Sequence, residues 1–331
     1  MSALPSLADL EQAATVVRSV IPSTAQYEWP LLSARVGAEV WVKHENHAPT
    51  GAFKVRGGLV YLAHLRRDLP MVSGIVCATR GNHGQSVGFA ARRHGLRAVV
   101  VAPHGNSVEK NAAMRALGVE LIERGHDFQS ASEAADVIAE ERGWHRIPSF
   151  HPYLVAGVGT YALELLRTVQ DLDTVYVPIG LGSGICGMLA ARAALGLKTK
   201  VVGVVSALAP AYARSFAARQ AVMHDVTTRI ADGLACSTPD PVALEHINAG
   251  VERIVEVSDD EVEAAMCALF SDTHNVAEGA GAAALGALMQ ERSAMRGKRV
   301  AIVVTGGNVD RQIFARVLTS LPLVDSRPRS P

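Results

Sequence analysis

Short β-branched runs that stop at Gly, Ser or Thr alternate with alanine-rich stretches along most of the chain, and no other feature constrains the fold as tightly. SGIVCATRGNHG leads into QSVGFAARRHG, LRAVVVAP into NSVEKNAAMRALG, and VELIERG into SASEAADVIAEERG. TVYVPIG leads into ICGMLAARAALG, KVVGVVS follows, and RVAIVVTGGN closes the series. Strands that are apolar on both faces and alternate with helices predict parallel sheets covered by helices, the α/β class. A chain of 331 residues exceeds the size at which one core usually stops growing, so two domains are expected. In open sheets of this kind, ligands gather at the carboxyl ends of the strands.

Several function classes fall away on charge and composition. Lys plus Arg equals Asp plus Glu, 32 of each, so no basic excess is present to neutralise nucleic-acid phosphates. The longest uncharged run, Thr174 to Ala191, contains Pro178 and four glycines and reads as strand, turn and helix start rather than a membrane span. Asp9 and Glu11 interrupt the N-terminal stretch early, so no secretory leader is read there. Cys77, Cys186, Cys236 and Cys267 lack the paired spacing of a zinc site or a disulfide framework. A reduced, cytoplasmic setting is the expectation.

Four segments carry the chemistry. In TGAFKVRGG, Ala52, Phe53 and Val55 surround Lys54 with apolar groups, which favour a neutral, nucleophilic amine. Most lysines at a helix start are surface groups, so this segment is suggestive only in company. TVYVPIGLGSGICG is a strand, a glycine turn and a helix start, where backbone N–H groups converge on an anion. Gly182, Gly184 and Gly187 match the dinucleotide spacing, but that reading demands an acidic residue at the end of the next strand. KVVGVVS ends on Ser206 and no Asp or Glu occurs from Thr174 to His224, so a terminal phosphate is the better ligand for Gly180 to Gly184. TRGNHGQS sets Asn82 and His83 on a strand-to-helix loop, and TGGN places Thr305 at a strand end.

Taken in order, the four segments resemble the fold-type II (tryptophan synthase β-like) pyridoxal-phosphate enzymes, above all the threonine and serine dehydratases and serine racemases. TGAFKVRGG is similar to their lysine motif, TRGNHGQS to their asparagine loop, GLGSG to the phosphate cradle and TGGN to the pyridine-nitrogen site; VAGVGTYALEL and ADGLACS also look like family segments. The resemblance implies two parallel-sheet α/β domains with the cofactor in the cleft. Residues 1–66 and 152–331 would form the large domain, and residues 67–151 the small one. It further implies that Lys54 is the Schiff-base lysine and Cα base, that Phe53 stacks near the ring, and that Asn82 donates to its phenolic oxygen. Gly180, Leu181, Gly182, Ser183 and Gly184 would bind the phosphate, and Thr305 the pyridine nitrogen. Thr79, Arg80, Gly81 and His83 would line the substrate carboxylate site, with Gly233 and Cys236 close on the other side. The implied reaction is loss of the β-hydroxyl and ammonia from a β-hydroxy amino acid such as threonine, serine or phenylserine, giving a 2-oxo acid. Relatives are commonly homodimers or homotetramers.

Two departures from the pattern matter. Arg80 stands where racemases carry the serine that exchanges a proton opposite the lysine, and a guanidinium cannot serve as a base. Val205 and Ala211 stand where metal-dependent relatives carry carboxylates, so no metal is expected. An amino acid racemase, a β-replacement synthase of the same fold, and a non-catalytic ligand-binding α/β protein remain as alternatives.

Overall fold

A computed structural model describes residues 3–320. Its strands are β1 (Gln26–Glu28), β2 (Glu39–His44), β3 (Gly74–Ala78), β4 (Arg97–Ala102), β5 (Glu120–Glu123), β6 (His145–Arg146), β7 (Thr174–Pro178), β8 (Lys200–Ser206), β9 (Arg253–Val257) and β10 (Arg299–Val304). They form two sheets, ordered β1-β2-β10-β7-β8-β9 and β5-β4-β3-β6. Every pairing is parallel except that of β1 with β2.

The double-sided apolar strands have the physical reason that the sequence suggests. Val300, Ile302 and Val304 of β10 face a core closed by the helices Asp259–Thr273 and Gly279–Gln290. Ala301 and Val303 face the opposite core, closed by Pro152–Thr168 and Ser183–Ala194. The smaller sheet repeats the plan. Val76, Val99 and Val101 pack on the helix Phe128–Arg142. Ile75, Cys77 and Val100 pack on Asn82–Arg93 and on the body of Lys54–Asp68.

Two breaks in strand order place the site. In the larger sheet β10 returns between β2 and β7, so the loops after β7 and β10 meet at its carboxyl edge. In the smaller sheet the chain runs outward from β3 to β5, then β6 adds on the other side of β3. Both are switch points of the kind at which open α/β sheets form a crevice. The helix Lys54–Asp68 spans between them. Its start is tied to the large sheet, Phe53 N–H donating to the Thr305 carbonyl at 3.0 Å, while its body lies in the small-sheet core.

Candidate active site

Lys54 is the first residue of its helix, and Phe53 supplies no side-chain cap. Its Nζ lies 3.1 Å from Ser183 Oγ and 5.0 Å from the centre of the Phe53 ring. No carboxylate pairs with it among the described residues. Burial alone pulls its pKa down to about 8, so a useful fraction is neutral amine near neutral pH.

The glycine turn after β7 leads directly into the helix Ser183–Ala194, which carries no side-chain cap. Its first-turn N–H groups are therefore available to an anion, and the helix dipole favours one. Gly182 has φ +99°, and a Cβ there would lie 2.6 Å from Ala243 Cβ. A Cβ on Gly180 would lie 2.5 Å from the Gly233 carbonyl, so the turn is pressed against Asp232–Leu234. Two buried tyrosines brace the turn from behind. Tyr161 donates its hydroxyl to the Gly184 carbonyl at 2.9 Å, and Tyr212 to the Leu181 carbonyl at 3.1 Å. With those carbonyls held away, the amides are left to face the cleft.

On the small-sheet side, Thr79 Oγ1 accepts from Gly81 N–H at 2.9 Å and shapes the loop that presents Asn82. Asn82 reaches across the cleft. Its Nδ2 donates to Glu278 Oε1 at 2.5 Å, and its Oδ1 accepts from Asn308 Nδ2 at 2.8 Å. An amide carries two N–H groups, so one donor of Asn82 remains for a ligand. Lys110 crosses the same gap, its Nζ 2.8 Å from Asp232 Oδ2 and 3.0 Å from Glu278 Oε2. Burial pushes the Glu278 carboxyl above its usual range, against the pull of Lys110. Thr305 is buried at the end of β10, its hydroxyl 3.4 Å from the Ala280 carbonyl.

The structure thus brings Phe53, Lys54, Asn82, Gly180 to Gly184, Gly233 and Thr305 to one cleft. His83 lies in the first turn beside Asn82. Arg80 is half-buried and makes no side-chain hydrogen bond or ion pair among the described residues. The Asp127 carboxyl, held low chiefly by Ser130, also feels the Arg80 charge. Cys236 is buried with its Sγ 3.2 Å from the Thr238 carbonyl, and it packs with Tyr212 and Cys186 in the core beneath the cleft. Val205 lies inside β8 and Ala211 opens the helix Ala211–Ala218, both fully buried. Sequence reasoning alone misses Glu278, Asn308, Lys110, Asp232, Tyr161 and Tyr212. Of these, Tyr161, Asp232 and Asn308 sit in the family-like segments VAGVGTYALEL, ADGLACS and TGGN, the one signal that could have pointed to them.

Residues 17–306 match the model of the pyridoxal-phosphate dependent enzyme family. The chain belongs to that family. It is 33% identical over 314 residues to an L-threonine ammonia-lyase of Thermotoga maritima, covering 95% of this chain and 78% of the relative. It is 34% identical over 281 residues to a catabolic L-threonine dehydratase of Escherichia coli K12, covering 84% and 85% respectively. The structure of maize serine racemase superposes with a TM-score of 0.89 at 26% identity, covering 96% of this chain and 98% of that one. The protein is a pyridoxal-phosphate-dependent ammonia-lyase of the dehydratase type, and its own residues fit that cofactor. An amine free of any carboxylate partner, an uncapped glycine-rich helix start and a buried hydroxyl at a strand end stand around one cleft.

Proposed function

We propose that this enzyme removes the β-hydroxyl and the amino group of a β-hydroxy amino acid, with L-threonine and L-serine as the first candidates, to give a 2-oxo acid and ammonia. The observation that carries this reading is the Lys54 amine, desolvated and without a carboxylate partner, beside the amide-lined turn at Ser183. Pyridoxal phosphate, when bound, supplies an electron sink for the pair left behind as the Cα proton departs. The amides of Gly182 to Gly184 and the Ser183 hydroxyl would hold its phosphate, Asn82 its phenolic oxygen and Thr305 its ring nitrogen. Lys54 Nζ takes the Cα proton. A hydroxyl at Thr305 cannot keep that ring nitrogen protonated as a carboxylate would, and prompt loss of the β-hydroxyl then favours elimination over transamination. The likeness to a racemase structure makes racemisation the second reading. Arg80, always protonated, speaks against it because no base then stands on the face opposite Lys54.

The two sheets are read as two domains, residues 1–66 with 152–331 and residues 67–151, with the cofactor between them. Among the described residues, no helix is long and apolar enough to cross a membrane. A cytoplasmic homodimer or homotetramer, free of nucleic acid, completes the proposal.

The test is direct. The purified enzyme given L-threonine or L-serine should release 2-oxo acid and ammonia in equal amounts, and chiral analysis should find little D-serine. Because Val205 and Ala211 replace carboxylates, EDTA should change neither rate nor melting temperature. D-serine formed faster than pyruvate would favour the racemase instead.

Arg80 is proposed to set substrate preference by pairing with a substrate carboxylate or an aromatic ring. Arg80→Ala should raise KM about tenfold or more for the preferred substrate, the loss of one charge-assisted hydrogen bond, while cofactor absorbance is unchanged. Unchanged kcat/KM across threonine, serine, phenylserine and hydroxyaspartate would make Arg80 a brace for its own loop, with Asp127 as the neighbouring charge.

A further inference from the structure

His83 follows Asn82 in the first turn of the helix Asn82–Arg93, and nothing in the chemistry above uses its ring. One side of that ring faces the Pro148 carbonyl. A carbonyl can only accept, so the ring nitrogen facing it must carry the hydrogen. The other nitrogen, Nε2, is buried and has no hydrogen-bond partner. The ring is therefore the Nδ1–H tautomer, with a bare lone pair on Nε2. Burial, and after it the nearby Lys54 ammonium, push its pKa down to about 3, so the ring stays neutral.

The direction of the ring follows from the helix. Ser86 lies three residues on, hence on the same face. Its Oγ donates to the Lys54 carbonyl at 2.6 Å. The face carrying His83 is thus turned toward the start of the lysine helix.

We propose that His83 Nε2 accepts a hydrogen bond from the β-hydroxyl of the substrate and so selects β-hydroxy amino acids. The inference rests on the elimination proposed above and deepens it. A bare acceptor repels a carboxylate, so the ring itself does not serve the carboxylate site that the family resemblance has this residue line. It suits a hydroxyl, the donor that threonine and serine bring. Holding the hydroxyl hydrogen leaves the oxygen lone pairs turned away from His83, open to the proton that Lys54 Nζ took from Cα, which completes the departing water. No proton changes hands at His83. A substrate without that donor leaves a buried acceptor unpaired, and such sites discriminate strongly.

Two measurements test it. Histidine ¹⁵N NMR of the wild-type holoenzyme at neutral pH should show His83 protonated on Nδ1 and bare on Nε2; a hydrogen on Nε2 would overturn the proposal. In kinetics, His83→Phe should cut kcat/KM for L-threonine and L-serine about tenfold or more, the loss of one hydrogen bond. β-Chloro-L-alanine, whose leaving group carries no hydrogen, should stay within about twofold. His83→Gln, able to turn its carbonyl to the same place, should restore part of the loss. Equal losses on all three substrates would mean that the ring only shapes the loop, and the proposal would be wrong. A wild-type enzyme that releases no ammonia from any β-hydroxy amino acid would instead sink the elimination reading, and this inference with it, before any variant is made.

Discussion

Lys54→Ala should lose the visible absorbance of the lysine-linked cofactor and at least about a thousandfold in turnover, since one side chain is nucleophile and proton acceptor together. Lys43, Lys54 and Lys110 all lie in or beside the core, and their surroundings separate them. Lys43 Nζ is bound to Glu164 Oε2 at 2.7 Å and to the Thr24 carbonyl at 2.9 Å. Lys110 lies between Asp232 and Glu278; burial opposes its charge, but the two carboxylates outweigh it and hold its pKa above the usual range. Lys54 alone faces burial without a carboxylate. Borohydride reduction of the loaded enzyme followed by peptide mapping should therefore place the label on Lys54, and label recovered on Lys43 or Lys110 would refute the assignment. The same desolvation has a consequence for the cofactor-free protein. The folded pKa of Lys54, about 8, lies below the ordinary value of 10.5, so the penalty is fully present below about pH 8 and fades as the pH rises toward 10.5. Lys54→Met should accordingly raise the melting temperature of the apoprotein at pH 7 and lose that advantage near pH 10.5. An apoprotein that melts lower with methionine at pH 7 would contradict the desolvated environment.

How far the sequence could be read depended on whether the signal was local. β3, β4, β7, β8 and β10 announce themselves because each is apolar on both faces, which a doubly covered parallel sheet demands. β1 and β6 have only three and two residues and no such run. β9 is an edge strand with Arg253 and Glu256 in it, so its pattern is diluted. Asn82, Ser183 and Thr305 were legible because each sits in a short strand-end loop whose glycines mark close backbone approach. Glu278 was not, because its partners Asn82 and Lys110 come from distant parts of the chain. Tyr161 and Tyr212 brace the phosphate turn through single hydroxyls, a role that leaves no periodicity to find. The arginine of TGAFKVRGG belongs with them. The resemblance supplied its position in a motif but not its work.

That work is structural, and removing the side chain should destabilise the fold more than a typical core truncation does. Arg56 is fully buried two residues after Lys54. Its Nε and Nη2 bind the Glu45 carboxylate at 2.7 and 3.0 Å, and its Nη1 and Nη2 bind the two oxygens of Glu164 at 2.8 Å each. Thr160 Oγ1 takes a further bond at 3.0 Å. Burial works against the guanidinium, but the two carboxylates outweigh it and hold its pKa above the usual arginine value. Burial likewise works against Glu164, yet Arg56 and Lys43 hold its carboxyl below the usual range. Arg56→Met leaves the buried Glu45 carboxylate without its cation and Glu164 with Lys43 alone, a change that costs roughly 3–5 kcal/mol, or a fall in melting temperature of the order of 10 °C. Arg56→Met with Glu45→Leu should recover part of that loss, because Glu164 keeps Lys43. The pH dependence should also change sign. In the wild type the Glu164 contribution is present above the ordinary pKa of 4.5 and lost as the pH falls through the lower folded value. In Arg56→Met only Lys43 is left to oppose the burial of Glu164, so its carboxyl moves upward and the variant should grow more stable as the pH drops from 8 toward 5. Melting curves of wild type and variant across that range decide it: parallel slopes would mean that the Glu164 carboxyl never depended on Arg56, and the cluster would not be what fixes the start of the lysine helix.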